Sequence, residues 1–233
     1  MIASAIIVAA GSGVRLGSDV PKAFVKIAGR TMLSYSLATV RQIDAIGEVV
    51  IAVPDRFENA ARAEVAAAGL IVPVKITPGG LERQDSVRIA LGLTSAESEL
   101  VIVHDAARPL ATREIFEACL RAAARAGGAI AAIPVADTLK RVANDDKAIT
   151  ATVARATLWQ AQTPQAFRRA LLIAAHQRAV DERIIATDDA DLVERTGVRV
   201  EVVESSTANI KITTRSDLKI VEAIVAGGFH TQS

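Results

Sequence analysis

Two glycine-rich turns, an aspartate at the end of an apolar run and a few well-placed cations are the parts of this chain that could act on a ligand. The first turn, Gly11-Ser12-Gly13-Val14-Arg15-Leu16-Gly17, follows the apolar run Ala5–Val8 and leads on to Pro21-Lys22. Glycines let backbone N–H groups approach an anion closely, Arg15 adds a forked donor and Lys22 a point charge, so the segment can wrap a polyphosphate. The same residues also suit an ordinary surface loop with two solvated cations. Their position at the carboxyl end of a first strand, where open α/β sheets bind ligands, favours the wrap. A dinucleotide fingerprint is excluded, because Leu16 stands where the third glycine is required. Pro21-Lys22 and Gly29 also keep the chain irregular to about Thr31, so no helix opens within the glycine run, and no Gly-Lys-Ser/Thr is present.

The run Leu100-Val101-Ile102-Val103-His104-Asp105-Ala106-Ala107-Arg108-Pro109 places an acid at the tip of a buried strand and an arginine shortly after it. Asp105 there can hold Mg²⁺, which takes hard oxygen ligands and keeps waters beside substrate phosphates, or can bind a ribose. The plainer alternative is an Asp105–Arg108 ion pair closing the loop, and Arg108 stands open between substrate contact and structural support. Lys211, within Asn209-Ile210-Lys211-Ile212-Thr213-Thr214, is expected on a short strand near the sheet edge, either reaching phosphates or solvated. The second glycine turn, Pro78-Gly79-Gly80-Leu81-Glu82-Arg83-Gln84-Asp85-Ser86, offers backbone groups to a base and Ser86 to a ribose, or is simply a turn with a polar first helical turn.

No general base stands out. His104 at a strand end is expected to be buried and hydrogen-bonded, His176 falls in a helix and His230 in the tail, and none is matched with a serine or cysteine in a triad. A phosphate monoester is already anionic near neutral pH, so its attack on an α-phosphate needs charge screening and alignment rather than a base. The residues therefore point to an enzyme that moves a nucleotidyl group from a nucleoside triphosphate onto a small phosphorylated alcohol.

These residues need an α/β framework, and the composition suits one. Apolar residues make up 51% and aromatics 3% of the 233 residues, which fits buried parallel strands under alanine-rich helices and disfavours base-stacking platforms for single-stranded nucleic acid. A net charge of +1 without basic runs leaves no footprint for duplex DNA or an anionic membrane. Cys119 is the single cysteine, which excludes an internal disulfide, and its helical spacing with Phe116 and Ala123 places it in the core. Strands are expected at Val49–Val53, Val74–Thr77, Leu100–Val103 and Ala129–Val135, with helices at Met32–Gln42, Phe57–Ala68, Ser86–Leu93 and Glu114–Ala126, a βαβ alternation giving a mainly parallel sheet. Later elements are a strand at Leu158–Gln162, helices at Arg168–Val180 and Asp189–Glu194, a strand at Val198–Val203 and a closing helix Ser216–Ala226. The alternation breaks between Thr138 and Thr157, where two short runs about Asn144-Asp145-Asp146 predict a β-arm. Such an arm has little core of its own, and a second subunit is its expected partner. One domain spanning 1–233 and, for want of a signal peptide or apolar span, a cytoplasmic location are the remaining expectations.

Taken together and in order, Ala9-Ala10-Gly11-Ser12-Gly13 with Arg15, Pro21-Lys22, Gly79-Gly80 with Arg83 and Asp85-Ser86, His104-Asp105-Ala106-Ala107-Arg108-Pro109, Thr163-Pro164-Gln165, Thr187-Asp188-Asp189-Ala190 and Asn209-Ile210-Lys211 resemble the 2-C-methyl-D-erythritol 4-phosphate cytidylyltransferases of the non-mevalonate isoprenoid pathway. The resemblance implies a Rossmann-like nucleotidyltransferase fold, CTP with Mg²⁺ or another divalent cation, and a homodimer that exchanges the 138–157 arm. It implies that Ala9, Ala10, Gly11, Gly13, Gly80, Ser86 and Ala106 embrace the cytidine, with Asp105 by the ribose and metal. Arg15, Lys22 and Lys211 then contact the triphosphate as the catalytic cations. The acceptor phosphate and polyol fall to Arg108, Thr187 and, from the arm, Thr138 and Arg155. Two positions depart from the family pattern. Thr207-Ala208 stand where relatives often carry an acid, and Leu81 where some are polar. A ribitol 5-phosphate or other polyol-phosphate cytidylyltransferase is the nearest alternative, and a nicotinamide-dependent oxidoreductase or a non-catalytic nucleotide-binding protein the more distant ones.

Overall fold

The computed structural model describes residues 1–13, 16–145 and 147–228. In chain order its elements are β1 (Ala3–Val8), a 3-10 turn (Lys22–Phe24), a small hairpin of β2 (Lys26–Ile27) and β3 (Arg30–Thr31), α1 (Met32–Val40), β4 (Ile46–Val53), α2 (Glu58–Ala68), β5 (Val74–Pro78), α3 (Arg83–Leu91) and β6 (Leu100–Asp105). There follow α4 (Arg113–Ala126), β7 (Gly128–Pro134), the arm strands β8 (Leu139–Val142) and β9 (Ile149–Val153), β10 (Trp159–Arg168), α5 (Arg169–Asp181), α6 (Asp189–Glu194), β11 (Val200–Glu204) and α7 (Arg215–Ala226). The chain is thus not irregular up to Thr31 as expected. Ile27 and Met32 bury against Leu16, Ile212 and Val221 of α7, and this small apolar cluster gives the 3-10 turn and hairpin something to fold onto.

A seven-stranded sheet runs β11-β7-β10-β6-β1-β4-β5. Its pairs are parallel except those of β10, which is antiparallel to both β6 and β7. Successive side chains of a strand face opposite ways, so near-continuous apolar runs supply two cores. Ile7, Ile51 and Ile102 face one core with Leu37 of α1 and Phe116 of α4. Ile6, Val50 and Val103 face the other with Val87 of α3 and Leu172 of α5. Helix α4 shows how the sequence makes its own boundaries: Ile115, Phe116, Cys119, Leu120 and Ala123 fall on one buried stripe, and Gly127 ends the helix at φ 102°.

Two expectations need correction. The strand expected at Leu158–Gln162 runs on to Arg168, and its register breaks between Ala161 and Gln165. Polar Gln162, Thr163 and Gln165 are buried there by hydrogen bonds rather than by hydrophobicity, which hides the strand from an apolar pattern. Lys211 lies in an extended segment outside any strand, near the middle of the sheet rather than its edge. Ile212 N–H donates to the Ala107 carbonyl at 2.9 Å, and the Ile212 side chain is fully buried, so one apolar anchor draws the lysine in beside β6. No helix among the described residues is long and apolar enough to cross a membrane.

Candidate active site

From β1 the chain builds outward through β4 and β5, then returns to lay β6 on the other side of β1. Such a reversal leaves a crevice at the carboxyl ends of the two central strands. Val8 lies opposite Asp105 as the last pair of the register, and Ala106 N–H still donates to the Val8 carbonyl at 3.0 Å. The loop after β1 folds back on itself, with Lys22 N–H donating to the Gly11 carbonyl at 3.1 Å and the 3-10 turn carrying Lys22 to the rim. Gly13 is required at the bend: its φ is +76°, and a Cβ there would sit 3.1 Å from both Lys22 N and the Val20 carbonyl. The second glycine turn approaches from β5, where a Cβ on Gly79 would collide with Cβ of Ala10. Ser86 Oγ accepts from Gly80 N–H at 3.0 Å and donates to the Glu82 carbonyl at 3.1 Å, tying this turn to a capping box of Glu82 and Asp85 on α3.

Between the turns lies a cavity of about 410 Å³ lined by Ala9, Ala10, Gly11, Lys22, Gly80 and Ser86, with Arg83, Asp105, Ala106 and Lys211 along its base. A second cavity of about 190 Å³ shares Arg83, Asp105 and Lys211 and adds Arg108, Gln162 and Thr187. Asp105 is the carboxylate common to both. Its Oδ1 accepts from Arg83 Nε at 2.8 Å and its Oδ2 from Lys211 Nζ at 2.5 Å. Burial alone would raise its pKa, but the charges of Arg83 and Lys211 outweigh that and hold the carboxyl far below the usual carboxylate range. Arg83 also donates from Nη1 to Asp189 Oδ2 at 2.8 Å, and Asp189 Oδ1 meets His176 Nε2 at 3.1 Å.

The Asp105–Arg108 pair does not form. Arg108 instead donates to the carbonyls of Asn209 at 2.7 Å and Ala161 at 3.4 Å, bracing the Lys211 segment against β10 while lining the second cavity. His104 is buried as expected. Thr163 Oγ1 accepts from Asp105 N–H at 3.0 Å and donates to His104 Nδ1 at 3.1 Å, while His104 Nε2 donates to the Arg108 carbonyl at 3.2 Å. This pattern needs a neutral ring, in keeping with burial, which pushes the His104 pKa down to about 4. Cys119 is wholly buried in α4, and burial pushes its thiol up to about 12.

Most residues singled out from sequence therefore converge: Ala9, Ala10, Gly11, Lys22, Gly80, Ser86, Asp105, Ala106 and Lys211 on the first cavity, Arg108 and Thr187 on the second. Gly13 shapes the loop without lining either, and Thr138 and Arg155 are exposed on the arm and line neither. Arg15 and His230 lie outside the described residues. Sequence reasoning gave no role to Arg83 and Asp189, although both sit inside quoted motifs. A charged residue in the first turn of a helix looks solvated until the fold brings its counter-ions to it.

A family model described as 2-C-methyl-D-erythritol 4-phosphate cytidylyltransferase matches residues 3–227. A protein of that name from Deinococcus radiodurans is 44% identical over 231 residues, covering 98% of this chain and 93% of its own. Another, from Syntrophus aciditrophicus, is 41% identical over 222 residues, covering 95% and 94%. The crystal structure of 2-C-methyl-D-erythritol 4-phosphate cytidylyltransferase from Thermus thermophilus superposes with a TM-score of 0.80 at 36% identity, over 97% of this chain and 100% of that one. That of 4-diphosphocytidyl-2C-methyl-D-erythritol synthase from Anaerococcus prevotii gives 0.84 at 30% identity, over 97% and 98%.

Proposed function

Because this chain belongs to the 2-C-methyl-D-erythritol 4-phosphate cytidylyltransferase family, we propose that its two adjoining cavities are the CTP and acceptor halves of one active site. The reaction joins CTP to 2-C-methyl-D-erythritol 4-phosphate, releasing pyrophosphate, in isoprenoid precursor biosynthesis. The observation that carries the assignment of halves is the shared wall of Arg83, Asp105 and Lys211. A nucleotide in the larger cavity and a polyol phosphate in the smaller would present their phosphates to one another across it.

In this reading Ala9, Ala10, Gly11, Gly80 and Ser86 hold cytidine, and Lys22, Lys211 and Arg15 gather on the triphosphate. An oxygen of the acceptor phosphate attacks the α-phosphorus in line, the bond from that phosphorus to the bridging oxygen breaks, and pyrophosphate leaves with the electron pair. No proton has to be removed, which suits a site whose one buried carboxylate is held ionised and whose nearby histidine is neutral. Lys211 exchanges Asp105 for a phosphate oxygen as CTP settles. Among the described residues no cluster of three His, Cys, Asp or Glu converges. Asp105, the carboxylate common to both cavities, would hold a divalent ion such as Mg²⁺ carried by the triphosphate, and when bound the ion would screen the charge that attack must overcome.

Arg108 and Thr187 line the acceptor half, and the partner's Thr138 and the partner's Arg155 complete it in a homodimer joined through the 138–157 arm. In support, among the described residues β8 and β9 pair only with each other, and Leu139, Val142 and Ile149 are 36%, 46% and 65% exposed. A single domain with that arm and a cytoplasmic location complete the proposal. Pyrophosphate release from CTP with 2-C-methyl-D-erythritol 4-phosphate or ribitol 5-phosphate as acceptor tests the assignment. Turnover with the first and not the second is expected, and a preference for ribitol 5-phosphate would overturn it.

A further inference from the structure

The ion pairs at the shared wall continue into the protein, well beyond any group that can meet substrate. Asp189 is 1% and His176 2% exposed, and neither lines either cavity of the site. Asp189 opens α6, where Gln165 Oε1 accepts from its N–H at 3.2 Å and from that of Ala190 at 3.3 Å, so backbone and carboxylate are both pinned. His176 reaches the carboxylate from α5. Arg83, from α3, then bridges Asp189 to Asp105, and Asp105 meets Lys211. The charges alternate in sign along Asp189, Arg83, Asp105 and Lys211, each of which comes from a different part of the chain.

A buried network of this kind is rarely justified by stability, since apolar groups of similar volume serve about as well. Two of its polar atoms, His176 Nδ1 and Arg83 Nη2, are buried without a hydrogen-bond partner among the described residues. What distinguishes it is where it ends. If Lys211 turns to the triphosphate, Asp105 keeps Arg83 as its counter-ion. Arg83 stays in place because Asp189 holds its other face.

Building on the active-site assignment above, we propose that Asp189, oriented by His176 and Gln165, is a positioning residue for the transfer reaction: it anchors Arg83 so that Asp105 remains fixed when Lys211 exchanges its carboxylate for phosphate. Asp189 and His176 line neither cavity and act only through Arg83 and Asp105, so their loss should fall mainly on kcat, with a smaller change in KM for CTP.

The test is steady-state pyrophosphate release, with folding followed by circular dichroism, for the wild-type chain, Asp189→Asn, His176→Phe and His176→Gln. Asp189→Asn and His176→Phe should lower kcat about tenfold with KM for CTP within about threefold, and His176→Gln, which keeps a donor near the Nε2 position, should recover most of it. In an Asp105→Ala background His176→Phe should change kcat by less than about twofold, because its effect runs through the missing carboxylate. Folded variants with wild-type kcat, a loss confined to KM, or a full effect of His176→Phe without Asp105 would each overturn the proposal. So would failure of both Asp189→Asn and His176→Phe to fold, which would make the network a folding element. A wild-type chain that releases no pyrophosphate would remove the active-site assignment itself, and this proposal with it.

Discussion

In the proposed site Lys211 and Lys22 act by charge alone, and that sets the size of the effect expected from removing them. A preorganised donor to developing charge is worth about 3 kcal/mol of barrier, so Lys211→Ala or Lys22→Ala should lower kcat by about a hundredfold. Near-normal turnover at saturating CTP would remove either from its assigned role. His104 makes a prediction about stability rather than rate. Burial lowers its pKa from 6.5 to about 4, so between those values the unfolded chain binds the proton more readily than the folded one. The contribution is complete above pH 6.5 and is lost as the pH falls towards 4. Urea unfolding of wild type against His104→Asn should therefore show the wild-type advantage shrinking by about 3 kcal/mol from pH 7 to pH 4. A difference that ignores pH would count against a neutral, buried His104.

At the scale of elements, the two glycine turns act as a pair because Gly79 lets the second pass directly against Ala10 of the first. Gly79→Ala should force them apart and raise KM for CTP about tenfold while leaving the fold's cooperative unfolding in place, since the strain falls on two loops rather than the sheet. An unchanged KM would show that the cavity wall tolerates the shift. The helix that follows the Lys211 segment is held by its end. Asp217 in α7 accepts from the N–H groups of Thr213 and Thr214 at 2.8 and 2.7 Å, and Thr214 Oγ1 accepts from Asp217 N–H at 3.2 Å. Thr214→Ala removes half of this capping box immediately after the Lys211 segment, and about 1 kcal/mol of stability should go with it, measured by denaturant unfolding.

The whole molecule places both cavities at the carboxyl ends of the central strands, and no residue of β8 or β9 lines either of them, so the dimer proposal can be tested without touching the cleft. The double substitution Val142→Asp and Ile149→Asp should leave circular dichroism unchanged, shift sedimentation towards the monomer and lower turnover, because Thr138 and Arg155 would no longer reach a second cleft. A fully active monomer would refute a shared site. Much of this protein could be read along the chain. Apolar runs separated by amphipathic helices are local signals, and they sufficed for the parallel core, the arm and the glycine turns, while motif order sufficed for the family. What local patterns lacked was anything decided by long-range polar contact. Strand β10 carries Gln162, Thr163 and Gln165, buried polar residues whose partners come from β6, α6 and Asn209. Lys211 was misplaced because a single buried isoleucine, not strand pairing, seats it against Asp105, 106 positions away in sequence. Arg83 and Asp189 passed for surface charges until folding brought them together, since a charge's counter-ion is a property of three-dimensional arrangement and leaves no periodicity in the sequence.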